Sequence, residues 1–570
     1  MIPRIFILLL AVFNTAAASA CTNLLVTKGA SADGSVYITY TADSAGFYPR
    51  LAVFPRQEFP PDAVIDIPEK KDKDGKTVRP AGKIKQVAET YQVLGTTWDE
   101  GYLGVFPKQG FINEFQLAIA ETTFGGREEI VNPQGLLNYQ MLITFALQRA
   151  KTAREAIAVM TQLVAEHGYG DEGESISIAD KNEAWVFEIV GTGKDNPSKE
   201  GAVWVARKVP DGEISVHANQ ARIGEIPDKP QDDFFYSENI KLFAIEKGFF
   251  SPGPSGAVGN KFRFDDAYGA VDAKSKRVCE SRTWSIFRRA APSLNLSPDY
   301  HRGVKDAEAY PWSIKPDKKL TTADVFALMR DHFEGTPFDM TRGADAGPYG
   351  NPRRWRPLYW KVNPSTAGAE ETEYSWERPI STQQTGYVVI TQSRSFLPDK
   401  VGGVAWYGVD DSYLSCFFPL YCGITEVPPS FARGSIEQFD WNDAWWVFNL
   451  VANYANLKYS RMTPDIIKVQ KELETKFLFR QKEIVEPTAA ALFEANPEAA
   501  QQYLTEYSVL QAESVAARWQ KLAVHLFTKF NDGYIRGEDG SYPKGGDPYP
   551  DEWLHRVITE RPEQFKLPKE

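Results

Sequence analysis

The first twenty residues have the pattern of a secretory signal peptide that ends directly before a cysteine. Arg4 gives a basic start, Ile5–Phe13 is a short apolar run, and Ala18-Ser19-Ala20 is the small-x-small sequence that signal peptidases cut after. Cleavage there makes Cys21 the first residue of the mature chain. The apolar run is shorter than the ~20 residues of a membrane-spanning helix. We therefore expect a secreted or periplasmic protein without stable membrane insertion.

An amino-terminal cysteine carries a nucleophile and a base on one residue. Model α-amino groups titrate near ~8 and cysteine thiols near ~8.5, so the amine of Cys21 can accept the thiol proton at neutral pH. Lipidation of Cys21 is an alternative, but the residue three positions earlier is the small Ala18 rather than a large aliphatic one.

Disulfide formation is a second alternative, because secreted chains meet an oxidising environment. The remaining cysteines are Cys279, Cys416 and Cys422. If Cys21 is a free nucleophile, at most one bridge forms and one thiol is left over. Cys416 and Cys422 are close enough in sequence to pair, although burial as free thiols fits their apolar surroundings equally well.

Composition indicates a well-packed globular protein without a nucleic-acid partner. The chain is 43% hydrophobic and 13% aromatic, which excludes extensive disorder. Its formal charge is -11, and loss of Arg4 with the signal peptide makes it -12. Such a net acidic chain lacks the basic surface that nucleic-acid binding requires.

Hydrophobic periodicity predicts strands first, then two helices, more strands and a helical end. This order indicates an α+β protein with helices layered on antiparallel sheets. Helices are expected over residues 136–150, 152–167, 463–485 and 497–529, with Pro487 as a break. The strands are expected near residues 24–26, 36–40, 116–121, 175–179, 184–190, 203–208, 214–217, 387–391 and 403–407.

The common catalytic motifs are missing from the sequence. None of the six histidines has metal-ligand spacing. There is also no G-x-S-x-G elbow, P-loop, G-x-G-x-x-G helix start or papain-like cysteine context. We therefore expect neither a metal nor an organic cofactor, and the terminal cysteine is the remaining candidate nucleophile.

Nine segments along the chain form an ordered set of motifs. They are Cys21–Ser35, Gly110–Leu117 with Asn113-Glu114, Glu121–Arg127, Ser175–Asp180, Trp185–Gly191, His217–Arg222, Ser281–Ser285, Gln383–Gly386 and Tyr421–Thr425. Together they resemble the C69 dipeptidases, which are N-terminal-nucleophile (Ntn) hydrolases related to penicillin V acylase and bile salt hydrolase. The likeness extends from Cys21 to roughly Tyr459, and the order of the motifs makes it specific.

The resemblance implies a four-layer αββα sandwich, with a catalytic domain over residues 21–460 and a helical region over 461–570 packed on it. It also implies a role for each matching site residue. Cys21 is nucleophile and base, and Asp43 positions its amine and thiol. Asn219 and Asn113 donate to the oxyanion, at ~3–4 kcal/mol per donor. Arg282 favours the thiolate by its charge.

One stretch departs from the acylase-like relatives. They carry Arg-Asn-x-Asp where this chain has Tyr40-Thr41-Ala42-Asp43, so a guanidinium is missing near the expected position of the sulfur. Glu121 and Arg127 are interpreted as structural ion-pair residues and are left out of the predicted site.

These observations predict a secreted cysteine dipeptidase with small peptides as substrates. Two alternatives stay open: a non-peptide amide acylase of the bile-salt or penicillin V type, and a lipid-anchored binding protein acylated on Cys21. The second would lose the base, because acylation blocks the amine. The sequence is also compatible with a homo-oligomer.

Overall fold

The computed structural model describes residues 21–44, 47–72, 74–97, 109–196, 200–253, 261–354, 359–362, 372–542 and 546–569. The predicted signal peptide, residues 1–20, lies outside this range.

The strands are described in chain order. They are β1 Asn23–Val26, β2 Val36–Asp43, β3 Arg50–Phe54, β4 Gln57–Glu58, β5 Val64–Ile67, β6 Lys70–Lys71, β7 Thr77–Arg79, β8 Gly82–Lys85, β9 Glu89–Thr90, β10 Val93–Thr97, β11 Gln109–Asn113, β12 Ala118–Gly125, β13 Gly173–Ala179, β14 Ala184–Val190, β15 Val203–Lys208, β16 Ile214–His217, β17 Phe234–Tyr236, β18 Ser313–Ile314, β19 Tyr359–Val362, β20 Thr372–Ser375, β21 Thr385–Ser393, β22 Val404–Val409 and β23 Phe418–Tyr421.

The helices concentrate in the second half of the chain. They are α1 Tyr139–Arg149, α2 Ala153–His167, α3 Ile240–Glu246, α4 Phe264–Tyr268, α5 Ala273–Ala290, α6 Thr322–Leu328, α7 Asp399–Gly402, α8 Ala444–Ala455, α9 Tyr459–Arg480, α10 Glu486–Ala495, α11 Pro497–Lys529, α12 Asp551–Glu560 and α13 Pro562–Phe565.

Within the described residues, two large antiparallel sheets dominate the fold. A seven-stranded sheet has the order β18-β16-β1-β2-β21-β22-β23, and an eight-stranded sheet has the order β17-β15-β14-β13-β12-β11-β10-β3. Strand β1 is therefore an inner strand, paired with β16 on one side and β2 on the other. This position holds the backbone after Cys21 by hydrogen bonds from both neighbours.

The two sheets contact each other, and helices pack against both of them. Strands β1 and β2 contact β12, and β11 contacts β21. Helices α1 and α2 pack against the eight-stranded sheet, while α5, α8, α9 and α11 contact strands of the seven-stranded sheet. The predicted α+β class is confirmed.

The carboxyl-terminal helices share the main hydrophobic core with the seven-stranded sheet. Phe448 of α8 and Trp519 of α11 stack with ring centroids 4.6 Å apart, and both belong to the core cluster that includes Cys21. The domain boundary predicted at residue 460 falls inside α9, which begins at Tyr459. The division into domains stays a prediction.

The helix expected over residues 463–485 starts earlier and does not end at Pro487. Helix α9 begins at Tyr459, and Pro464 lies close enough to its start to disturb few hydrogen bonds. A π-helical segment, Gln481–Val485, joins α9 to α10. Pro487 is tolerated because it lies in the first turn of α10.

All four cysteines are described, and each is a buried free thiol, so the possible Cys416–Cys422 bridge is not formed.

Among the described residues, no helix combines the length and the apolar character that crossing a membrane requires.

Candidate active site

Cys21 lies two residues before the start of β1, between the two sheets, and is only 1% exposed. The antiparallel register pairs Asn23 with His217. Continued by two residues, this register brings Asn219 opposite Cys21. The position of the cysteine is therefore set by strand pairing, with a partner nearly two hundred residues later in the chain.

The backbone nitrogen of Cys21 donates to Oδ1 of Asn219 at 3.0 Å. Asn219 has a φ of 63°, in the left-handed region that asparagine tolerates better than most residues. Its Nδ2 donates to the carbonyl of Thr123 at 2.7 Å. Asn219 is thus fixed at both ends of its amide, with the oxygen facing the nitrogen of Cys21.

Arg282, on α5, ties the cysteine to its neighbours. Its Nη1 donates to the carbonyl of Cys21 at 2.6 Å and to Oγ1 of Thr22 at 3.0 Å. Its Nη2 donates to Oδ1 of Asn219 at 3.0 Å. Burial, and then the charge of Arg378, lower the pKa of Arg282 to about 10, so the guanidinium stays charged at neutral pH.

Asp43, at the end of β2, is completely buried in a network of hydrogen bonds. It accepts from Oγ1 of Thr41 at 2.8 Å, from Oγ1 of Thr385 at 2.6 Å and from Nη2 of Arg378 at 2.9 Å. The backbone N–H of Thr22 donates to Oγ1 of Thr41 at 2.9 Å. The carboxylate thereby orients the residue that follows Cys21.

The sulfur of Cys21 lies beside a phenol and a carboxylate. It is 3.7 Å from the hydroxyl of Tyr40 and 3.9 Å from Oε1 of Glu121. The same hydroxyl donates to Oε1 of Glu121 at 2.6 Å. Burial, followed by the negative charges of Glu121 and Asp43, raises the pKa of the Cys21 thiol well above its usual value. Hydrogen bonds from the backbone of Asp43 and from Tyr40 act in the opposite direction.

This arrangement can support attack by sulfur on a carbonyl carbon. The nitrogen and the sulfur belong to one residue, whose carbonyl and nitrogen are both held by fixed partners. A thiol with a raised pKa needs a base close by to become a nucleophile. Among the described residues, no cluster of three or more His, Cys, Asp or Glu side chains has a geometry that could hold a metal ion.

The sequence model of peptidase family C69 matches residues 20–472. The chain belongs to this family. A probable dipeptidase of Latilactobacillus sakei is 26% identical over 467 residues, which cover 80% of this chain and 85% of the relative. A dipeptidase of Bifidobacterium longum (strain NCC 2705) is 24% identical and covers 76% of both chains. A probable dipeptidase A of Streptococcus pyogenes serotype M3 is 22% identical, covering 80% of this chain and 87% of the relative.

In this C69 peptidase, Cys21, Asn219 and Arg282 come together in direct contact. Asp43 joins them through Thr41 and Thr22. Asn113 does not: its Nδ2 donates to the carbonyls of Leu147 and Ala150, both at 2.8 Å, and its backbone N–H donates to the carbonyl of Leu117. These bonds fix the turn after β11 and the end of α1. The predicted oxyanion role of Asn113 therefore has no support in its contacts.

Sequence reasoning missed four residues around the cysteine of this C69 peptidase. Tyr40 was noted only as a replacement for arginine, and Glu121 was interpreted as part of a structural pair with Arg127. Arg127 instead donates to the carbonyl of Ala267 and lies over the ring of Phe249. Glu121 stands in a family-like segment, which was the available signal for it. Arg378 and Glu174 lie in no sequence motif that would have indicated a place beside Cys21.

His217 connects the two sheets beside this site. Its Nδ1 is 2.7 Å from Oγ1 of Thr122, and its Nε2 is 2.7 Å from Oγ of Ser177. Burial, and then the charge of Arg222, lower the pKa of His217 to about 3. The imidazole is therefore neutral in the folded protein at pH values where an exposed histidine is protonated.

We expect acid to destabilise the protein partly through this histidine. The unfolded chain takes up a proton below about pH 6.5, whereas folded His217 does so only below about 3. Its contribution to the free energy of unfolding is full above pH 6.5 and is lost as the pH falls toward 3. Urea unfolding at pH 7.5 and pH 4.5 measures the difference, which should be smaller in His217→Gln. His301, with a pKa lowered by burial to about 3, contributes in the same direction.

The exposed His555 supplies the control. The pH dependence of the free energy of unfolding should be the same in His555→Gln as in the unmodified protein. If the free energy of unfolding depends on pH equally in His217→Gln and in the unmodified protein, His217 does not contribute to the acid destabilisation.

Proposed function

We propose that the protein is a secreted Ntn cysteine dipeptidase whose nucleophile is Cys21 and whose base is the α-amine of the same residue. The observation that carries this proposal is the hydrogen bond that holds the Cys21 nitrogen on Asn219 beside the buried sulfur. Membership of family C69 and the dipeptidase names of the relatives support the reaction class. The proposal includes an αββα Ntn arrangement of the two sheets and their helices.

In the proposed reaction, the amine accepts the thiol proton while sulfur forms a bond to the scissile carbonyl carbon. The tetrahedral intermediate collapses as the carbon–nitrogen bond breaks, and the leaving amine receives the proton from the ammonium of Cys21. Water then attacks the thioester, again with the amine as base, and releases the acid and the thiol. Asn219 and Arg282 hold the two ends of the nucleophile's backbone during these steps.

Several charges near the sulfur suit this cycle. Arg282 and Arg378 are cationic groups close to Cys21 and Asp43, and they offset the carboxylates that oppose thiolate formation. The amine of a mature Cys21 adds a further cation when it holds the proton. The thiolate is therefore favoured at the moment when the proton moves to the nitrogen of the same residue.

The test is an assay of dipeptide hydrolysis with purified protein that starts at Cys21. The rate is measured from the release of free amino acids. The mature form should hydrolyse dipeptides, and the form with Cys21→Ser should lose at least about 10³-fold in kcat/KM, because a hydroxyl is a much weaker nucleophile at neutral pH. Intact mass and amino-terminal sequencing of the exported protein identify the cleavage site and any lipid on Cys21.

Two outcomes would contradict the proposal. Hydrolysis of penicillin V or a glycine-conjugated bile salt without hydrolysis of dipeptides would make the protein an acylase. An intact mass that shows a lipid on Cys21 would mean that the amine is blocked and cannot act as the base. This result would favour the binding-protein alternative.

A further inference from the structure

A pair of buried carboxylates stands next to the sulfur and has no role in the steps above. Glu121 on β12 is 2% exposed and Glu174 on β13 is 0% exposed. The strand register pairs Thr123 with Glu174, which places Glu121 and Glu174 diagonally on the same face of the sheet. The pair therefore forms one acidic surface beside Cys21.

Each carboxylate has one oxygen that accepts a hydrogen bond from a neighbouring hydroxyl and one that does not. Oε1 of Glu121 accepts from Tyr40, and Oε2 of Glu174 accepts from Oγ1 of Thr123 at 3.0 Å. Oε2 of Glu121 and Oε1 of Glu174 receive no hydrogen bond from an N–H or O–H group in the described part of the chain, and the two carboxyl groups interact with each other. Buried polar atoms in folded proteins almost always have a partner, so these two oxygens are incomplete without a proton or a ligand.

The charge of the pair is also uncompensated. Burial raises the pKa of Glu121, and burial together with the charge of Glu121 raises that of Glu174 further. The two groups can thus hold one proton between them and retain one negative charge. No lysine or arginine among the described residues forms an ion pair with either carboxylate. A cationic ligand would satisfy both the charge and the two oxygens.

Pairing between β11 and β12 is short beside this position. The hydrogen-bonded pairing described between the two strands is the single pair Ile112–Ala118. The continued register would bring Gln109 opposite Glu121, beyond that pair. Nε2 of Gln109 is buried without a hydrogen-bond partner in the described chain. A further polar side chain on the neighbouring strand thus lacks a partner.

The distances suit the amino end of a peptide. An attacked carbonyl carbon lies ~3–3.5 Å from the nucleophile, and the α-nitrogen of its residue is two bonds away, or ~2.5 Å. Oε1 of Glu121 is 3.9 Å from the sulfur. An α-ammonium on the attacked residue can therefore reach the charge-assisted hydrogen-bond distance of ~2.7–2.9 Å from this carboxylate.

We propose that Glu121 and Glu174 form the subsite for the free α-ammonium group of the peptide substrate. The inference rests on the proposed function and adds a substrate specificity to it. An ammonium group reaches this subsite only when the carbonyl of the cleaved peptide bond belongs to the amino-terminal residue of the substrate. An N-acylated peptide leaves the carboxylate pair buried and without its cation. Such a loss of a buried polar partner discriminates strongly between substrates.

Binding is measured first, by calorimetric titration of the full mature chain carrying Cys21→Ala. The ligands are alanyl-alanine and N-propionylalanine, which differ only by the ammonium group. Alanyl-alanine should bind at least about tenfold more tightly. Adding Glu121→Gln should remove this preference by weakening only alanyl-alanine, since glutamine keeps the size and the acceptor for Tyr40.

Glu172→Gln is the matched control. Glu172 is exposed and lies two residues before Glu174, so its substitution removes a nearby charge without touching the pair. It should leave both affinities unchanged. Equal affinity for the two ligands in the Cys21→Ala protein, failure of alanyl-alanine to bind, or an equal effect of Glu172→Gln and Glu121→Gln would overturn the subsite.

Hydrolysis by the protein with Cys21 intact separates the subsite from the proposed function. A loss of kcat/KM in Glu121→Gln for alanyl-alanine alone supports the subsite. Equal losses for both substrates would overturn it, because the carboxylate would then act on Cys21. If the unmodified protein hydrolyses both substrates equally well, amide hydrolysis is supported and the subsite is overturned. If it hydrolyses neither substrate but still binds alanyl-alanine more tightly than N-propionylalanine, the proposed function is overturned and the subsite is supported.

Discussion

Protein with one additional residue before Cys21 is expected to hydrolyse dipeptides about 10²–10⁴-fold more slowly than protein that starts at Cys21, the range that a general base contributes. The additional residue turns the amine into an amide, which cannot accept the thiol proton. Its N–H can still donate to Asn219, as the nitrogen does in the structure. The extended protein should therefore fold normally, and the loss should appear in kcat.

The measurement compares kcat and the thermal unfolding midpoint of the two forms. A matched midpoint with a large loss of kcat isolates the chemical role of the amine from its structural one. Equal activity of the two forms would show that another group accepts the proton, and Glu121, at 3.9 Å from the sulfur, would become the first candidate.

Replacement of Asn219 is expected to have the second large effect on activity. Asn219→Ala should lower kcat/KM by about 10²–10³-fold, because the nitrogen of Cys21 loses its fixed acceptor and Arg282 loses one of its contacts. The protein should also be destabilised, since alanine at a φ of 63° costs roughly 1–2 kcal/mol in addition to the lost hydrogen bonds.

Asn219→Gly separates the two contributions. Glycine removes the same amide but accepts a positive φ without steric cost. The activity loss should match that of Asn219→Ala, while the free energy of unfolding should fall less, as measured by urea unfolding. If activity instead follows stability across the two variants, the amide has a structural role only.

Local sequence signals were sufficient for many elements of the fold. The helix expected over residues 152–167 is α2, which begins with a capping box formed by Thr152 and Glu155. The segments expected as strands around residues 24–26 and 36–40 form β1 and β2. Helix α9 was misjudged at both ends. A proline near a helix start and one after a π-helical segment are tolerated for reasons that depend on neighbouring turns, which local patterns do not display.

The site was only partly accessible from the sequence. Cys21 was identified from the predicted cleavage of the signal peptide, and Asn219 and Arg282 through family resemblance; the structure brings the three into contact. Glu174 and Arg378 were not identified, because their relation to the cysteine arises from the stacking of two sheets and from pairing across more than a hundred residues. Asn113 matched a motif, yet its hydrogen bonds serve a turn, so motif position alone did not reveal its contacts.

The strand order has a consequence for incomplete chains. The nitrogen of Cys21 is held by Asn219, its carbonyl by Arg282 and the carboxylate of Asp43 by Arg378, and each of these partners lies 198 or more residues further along the chain. A fragment that stops before residue 219 contains Cys21 and none of these three partners. We therefore expect truncated products of that length to be inert, because hydrolytic capacity would arise only once distant parts of the polypeptide have associated.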